Sequence, residues 1–204
     1  SQCVGDVKMA RPHKSRQEQN VYLFCCEDSK SSRFYLDGLR KNSRVNIRTC
    51  CSKYRTPDSL ERRLKDEIKR RGKENIKQSY ILFDKDDMSM NDFKSEVSKY
   101  NAAVSVPCYE YWLLLHICKT DRSFANSDEC GEFLAAQIKK QRGIDLSLDQ
   151  LKQQENIFEI VEGRQGLKRA IDNAKGYAFT LGDDPYTNMH TIIESILQAE
   201  NVTL

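Results

Sequence analysis

The chain has 204 residues, with 33 Lys and Arg against 30 Asp and Glu, a net charge of +3. That length fits one domain, or one domain with a sizeable extension. Charged residues make up 31% and the hydrophobic set 39%, which predicts a lean core under a charged surface, and apolar runs recurring along the chain argue against disorder throughout. The global charge is too small to imply nucleic-acid binding by itself, so any basic surface has to be argued locally. No stretch approaches the roughly 18 consecutive apolar residues of a membrane span. The opening SQCVGDVKMARPHKSRQEQ has no apolar h-region, which argues against a signal peptide, and Ser1 stands where an initiator Met is expected.

Eight cysteines are spread along the chain, with two vicinal pairs, Cys25-Cys26 and Cys50-Cys51, inside apolar segments. Vicinal side chains on a strand point to opposite faces, so they do not easily hold one ion. With no C-x-x-C spacing and no export signal, the expectation is buried, reduced thiols in a cytoplasmic protein without structural zinc.

Residues 1–19 are mostly polar and read as an arm, with His13 in it carrying no weight. VYLFCC (21–26) is a continuous apolar run, as expected of a strand buried on both faces. It ends in Glu27, with Asp28 and Ser29 placed to cap a helix from Ser31 to about Lys41. VNIRTCC (45–51) follows as a second strand. Thr56-Pro57-Asp58 starts a helix with a Thr cap, Pro at the first helical position and an acidic first turn, and Gly72 is placed to stop it. Tyr80 to Phe83 form a third strand, ending in Asp84-Lys85-Asp86-Asp87. A helical period over Met90, Phe93, Val97 and Tyr100 follows, with Ser89 and Asp92 at capping-box positions. AAVSV (102–106) is a fourth strand, stopped by Pro107.

Strand and helix therefore alternate over residues 20–106, which predicts an α/β core with a parallel sheet and right-handed crossovers. Residues 107–204 read as a helical extension packed on that core, with helices at 109–119, about 128–142, 149–158, 165–175 and 187–199. Gly143, Gly163, Gly166 and Gly182 are expected in its loops.

Ligands of open α/β sheets bind outside the carboxyl ends of the strands. Here the first strand ends in Glu27 and the third in Asp84, Asp86 and Asp87. If those strands are close in the sheet, their carboxylates converge on one small volume. Such oxygen ligands suit Mg²⁺ or Mn²⁺, and a metal there can polarise a phosphodiester and activate water. The plainer alternative is that these acids only cap the following helices.

The local wording narrows this. Cys26-Glu27-Asp28-Ser29-Lys30-Ser31, continuing to Phe34-Tyr35-Leu36 and Leu39, resembles the opening motif of the RloB family, a group with a Toprim-like fold. Phe83-Asp84-Lys85-Asp86 resembles its F-D-x-D. Ser105-Val106-Pro107-Cys108-Tyr109-Glu110-Tyr111-Trp112-Leu113-Leu114-Leu115-His116 is similar to its S-N-P-C-F-E-x-W-L-L-L-H, the most specific of the pieces. Asp184-Pro185-Tyr186-Thr187-Asn188-Met189-His190 resembles a fourth, C-terminal motif. Together they span roughly 21–195. Asp28, Ser32 and Val106 depart from the family pattern, while the acids stand.

The resemblance implies a Toprim-like parallel sheet with alternating helices and a helical C-terminal extension. It also implies a Mg²⁺- or Mn²⁺-dependent nuclease effector of bacterial anti-phage defence, acting on RNA, tRNA or DNA and controlled by an ABC- or OLD-type ATPase partner. A homodimer is left open. Asp84 and Asp86 would then bind metal, Glu27 would bind metal or act as general acid/base, and Glu110 would support them. The alternatives are a non-catalytic Toprim-like scaffold on an ATPase and, more weakly, a nucleotide-binding enzyme, although no Gly-rich loop follows the first strand.

Glu110 lies in an almost wholly apolar helical segment, where a carboxyl is costly unless paired or metal-bound. It either joins the acidic site or bonds an Arg or a helix N-terminus. His116 and His190 read as hydrogen-bonded core histidines. The helix 57–71 carries Arg62, Arg63, Lys65, Lys69, Arg70 and Arg71 off its Leu60/Leu64/Ile68 stripe, a surface suited to a phosphate backbone. Interleaved Glu61, Asp66 and Glu67 also fit an ordinary solvated face. Lys139, Lys140 and Arg142 form a second basic run, and no aromatic stacking platform stands out.

Overall fold

The computed structural model describes residues 18–27 and 31–204. Residues 1–17 of the arm expected over 1–19, with Cys3 and His13, and the cap expected from Asp28 and Ser29 lie outside them. The described elements are β1 (Val21–Glu27), α1 (Ser31–Ser43), β2 (Ile47–Ser52), α2 (Pro57–Arg71), a 3-10 turn at Lys73–Asn75, β3 (Ile76–Asp84), α3 (Met90–Lys99) and β4 (Ala102–Val106). They continue as α4 (Glu110–Ile117), α5 (Ser127–Arg142), α6 (Leu148–Lys152), α7 (Ile157–Ile160), α8 (Gly163–Tyr177), β5 (Tyr186–Thr187) and α9 (Met189–Ala199).

The sheet order is β2-β1-β3-β4-β5. The first four strands are parallel, and β5 runs antiparallel to β4. This mostly parallel α/β arrangement is consistent with the Toprim-like fold expected from the sequence. The chain leaves β1 toward β2 on one side and returns past it to β3 on the other. The β1/β3 boundary is therefore the topological switch point, where open sheets of this class place their ligands.

Two apolar layers sandwich the sheet. Val21, Leu23, Cys25, Ile81, Phe83 and Val104 point to the side covered by Leu60 and Leu64 of α2 and Phe93 of α3. Tyr22, Phe24, Cys26, Tyr80 and Leu82 point to the other side, under α1, α4 and the C-terminal helices. Period-two alternation thus puts both faces of β1 in the core, which is why VYLFCC has no polar positions. All eight residues of α4 are buried, as a helix apolar all round must be.

The local starts follow sequence chemistry. Thr56 Oγ1 accepts from the Ser59 N–H at the start of α2, and Ser89 Oγ from Asp92 N–H at the start of α3. Gly72 follows α2 at φ +88°, a backbone region that side chains strain.

Four expectations need correction. β3 begins at Ile76 rather than Tyr80, because the polar Ile76–Ser79 stretch pairs with Val21, Tyr22 and Leu23. The expected helix at 149–158 is two short helices, α6 and α7. The expected helix from 187 starts at Met189, after the two-residue strand β5. Gly163 and Gly166 open α8 instead of marking loops. At Gly166 a Cβ would stand 1.8 Å from the Val161 carbonyl oxygen, so the residue is required by close backbone approach.

The motif at 184–190 builds the edge of the sheet. Thr187 and Tyr186 pair with Ser105 and Val106. The Asn188 side chain then extends the ladder: its Oδ1 accepts from Val104 N–H at 2.8 Å and its Nδ2 donates to the Ala102 carbonyl at 2.9 Å. Among the described residues no helix is long and apolar enough to cross a membrane, and seven cysteines there are free thiols, five of them buried.

Candidate metal centre

β1 and β3 are adjacent and parallel, with Cys25 opposite Ile81, so Glu27 and Asp84 end neighbouring strands about 4.8 Å apart. The β3/β4 register sets Asp84 beside Ser105. From there the chain passes through Pro107 into α4, whose first residue is Glu110. The backbone also ties the edge together: Lys85 N–H donates to the Ser105 carbonyl and Asp86 N–H to the Pro107 carbonyl, at 3.1 and 3.0 Å. Asp86 sits at φ +44° and accepts a hydrogen bond from Ser127 Oγ.

The result is a cavity of about 140 Å³ at the carboxyl edge, lined by Glu27, Asp84, Asp86 and Glu110, with Arg55 and Lys152 at its border. The sequence-predicted acids are therefore brought together. Glu27 forms an ion pair with Arg55, Oε1 to Nε 2.6 Å. Glu110 is 7% exposed and accepts a long 3.5 Å hydrogen bond from Ser31 Oγ. Glu110 therefore lines the cavity, with Ser31 as its hydrogen-bond partner.

Asp84 is the electrostatic centre. Its Oδ1 is buried and has no hydrogen-bond partner among the described residues. A backbone hydrogen bond from Tyr109 supports the carboxyl, but burial, then Glu110, Asp86 and Glu27, push its pKa well above the ordinary range. Burial among other acids thus disfavours the charged form of this carboxyl. An orphaned buried carboxylate oxygen with three further acids near it offers the oxygen chemistry that hard divalent cations take. Among the described residues, no group of three or more His, Cys, Asp or Glu is placed to hold a metal ion, so the side chains as they stand supply at most one or two carboxylates to any one cation, the small number that suits a largely hydrated ion.

The histidines lie elsewhere. His116 is fully buried, with Nδ1 2.9 Å from the Trp112 carbonyl and Nε2 2.7 Å from Tyr35 Oη. Nδ1 therefore donates to the carbonyl and Nε2 accepts from Tyr35, and burial pushes the pKa down to about 3. It is a neutral core histidine. His190 is half-buried in α9, its Nδ1 without a partner among the described residues, and burial lowers its pKa.

Arg62, Arg63, Lys69 and Arg70 do not line the acidic cavity. They lie along α2, where Arg62 pairs with Asp58. Arg63, Arg70 and Arg71 all converge on the buried carboxylate of Glu67, whose pKa falls to about 2, chiefly through Arg70. Lys69 is exposed. Arg55, Ser127 and Lys152 escaped sequence reasoning because each arrives from a loop or helix whose place at this edge is set only by tertiary packing.

No curated protein and no solved structure matches the chain. The family model described as RloB-like protein matches residues 22–196, from β1 into α9. That span includes every acid of the cavity and the Asn188 edge, and the chain belongs to the RloB-like family.

Proposed function

We propose that the chain is a Mg²⁺- or Mn²⁺-dependent nuclease that hydrolyses phosphodiesters of nucleic acid. The single observation that carries this reading is the buried, unpartnered Oδ1 of Asp84 in a cavity shared with Glu27, Asp86 and Glu110. Asp84 and Asp86 would hold the cation, with Glu27 as a further ligand or as general acid/base. A bound ion would polarise the phosphodiester and raise the acidity of a water. Glu110 sets the local charge that makes a cation favourable. Arg55 and Lys152 stand where they can meet phosphate oxygens, an arrangement suited to transition-state charge.

Membership of the RloB-like family supports a setting in bacterial anti-phage defence, in the cytoplasm, under the control of an ABC- or OLD-type ATPase. The test is cleavage of labelled RNA and DNA by the purified chain, with and without that ATPase, in Mg²⁺ or in EDTA. The expected result is metal-dependent cleavage lost in D84N and E27Q. Full cleavage by either variant would remove the reading.

A second reading is a non-catalytic subunit that docks on the ATPase. It is favoured by one observation, the Glu27–Arg55 ion pair, which satisfies a cavity acid without metal. A scaffold would bind the ATPase equally well as wild type or D84N and show no Asp84-dependent uptake of Mn²⁺.

A further inference from the structure

Tyr54 is the one large apolar side chain exposed among the described residues, at 70%. It sits in the loop between β2 and α2, at the same carboxyl edge of the sheet as the acids. Its N–H donates to Ser52 Oγ at 3.1 Å, which ties the loop to the strand end. A lone exposed apolar residue means little by itself, but this one has a specific place. It lines a groove of about 440 Å³ with Lys53, Ser59, Arg62, Arg63 and Asp66. The next residue, Arg55, lines the acidic cavity instead. Two consecutive residues, whose Cα atoms are about 3.8 Å apart, therefore link the two depressions.

The groove's chemistry is an aromatic ring among cations, with Asp66 the one acid at its wall. Arg62 and its partner Asp58 are both exposed, at 74% and 66%, so Arg62 can turn to a phosphate at little cost, while Arg63 stays on the buried Glu67 and adds its charge from there. A ring with basic neighbours is the pattern that holds single-stranded nucleic acid: bases stack on the ring and phosphates meet the cations. In a duplex the base faces are already stacked and offer Tyr54 nothing.

We propose that Tyr54 is a stacking platform for an unpaired base next to the phosphodiester held at the acidic cavity, which makes single-stranded nucleic acid, or an unpaired loop, the substrate class. This deepens the nuclease reading and rests on it. The loop acts as a ruler between the two: Tyr54 takes the base, and Arg55 faces the neighbouring phosphate. Lys53, Arg62 and Arg63 follow the backbone away from the site.

The test separates this proposal from catalysis by measuring binding in EDTA, at low salt, where no metal-dependent cleavage occurs. Fluorescence anisotropy compares labelled oligo-uridine, oligo-deoxyuridine and a duplex, each roughly 15 nucleotides long, near the upper footprint of such sites. The expected result is that the wild-type chain binds single strands more tightly than the duplex. Y54A weakens single-strand binding roughly five- to a hundredfold and leaves duplex binding unchanged, while Y54F and Y54W bind like the wild type. A preference between the two single strands identifies the sugar. Unchanged binding in Y54A, an equal loss on the duplex, or no binding by the wild type overturns the proposal. So does a Y54A chain whose only change is the loss of a dimer in light scattering, which would assign the ring to contact between copies. D84N keeps the Tyr54 dependence in this assay, so an inactive wild-type chain that still binds through Tyr54 would remove the nuclease reading alone.

Discussion

Arg55 Nε lies 2.6 Å from Glu27 Oε1, and the two side chains border the cavity that holds Asp84. The guanidinium occupies the carboxylate that a cation would share. Removing it therefore favours the cation. Because Arg55 is 73% exposed, the pair is worth at most about 1 kcal/mol. R55Q is expected to tighten Mn²⁺ binding by up to roughly fivefold, measured by titration calorimetry, while it slows cleavage. Weaker Mn²⁺ binding in R55Q would show that Arg55 props Glu27 in its ligand position rather than competing for it.

Glu67 gathers Arg63, Arg70 and Arg71 around one buried carboxylate. E67Q keeps the volume and removes the charge. Hydrogen bonds to charged groups contribute about 1.5–3 kcal/mol, discounted here because Arg70 is 68% exposed. A loss of about 1–2 kcal/mol in urea unfolding is expected. Arg63 and Arg70 are released at the same time, so affinity for nucleic acid at low salt should rise. If it falls, α2 binds nucleic acid through its present ion-paired geometry.

His116 gives the fold an acid limb. Its pKa is pushed down to about 3 by burial, against roughly 6.5 in an unfolded chain. Between these values the unfolded chain holds the extra proton. The group's contribution is therefore fully present above about pH 6.5 and is lost as pH falls toward 3, at up to about 1.4 kcal/mol per unit. Urea unfolding at pH 5 should show about 2 kcal/mol less stability from this group than at pH 7. H116Q should be less stable at neutral pH and show a flatter slope over this range. A slope unchanged in H116Q would place the acid sensitivity elsewhere.

Gly166 meets the Val161 carbonyl where a Cβ would come to 1.8 Å. G166A forces the α7–α8 corner apart, and overpacking of this kind costs about 1–3 kcal/mol. At this chain length each kcal/mol is worth roughly 2–4 °C in Tm. A neutral G166A would mean that the corner relaxes freely.

The core was legible because its signals are local. The apolar run of β1, the Thr56-Pro57 start and the Ser89 cap each act through neighbouring residues. β5 was not, since Tyr186-Thr187 has no strand pattern and exists only by pairing with Ser105 and Val106. Likewise Ile76–Ser79 is too polar to read as a strand and is held by Val21, Tyr22 and Leu23. At the site, the acids could be listed from strand ends, yet the adjacency of β1 and β3 is a fact of topology. Tyr54 carried no sequence signal, because exposure of a single aromatic depends on everything that fails to cover it.

If Asp84 is held ready for a divalent cation, titration of Mn²⁺ into the metal-free chain at neutral pH, followed by calorimetry and by thermal unfolding, will register it. Saturable binding that raises the Tm is expected, with both effects lost in D84N. Metal-free D84N is also expected to melt above metal-free wild type, since the amide removes a buried carboxyl that loses stability as pH rises through its elevated pKa. Identical Mn²⁺ isotherms for wild type and D84N would contradict a cation site at Asp84.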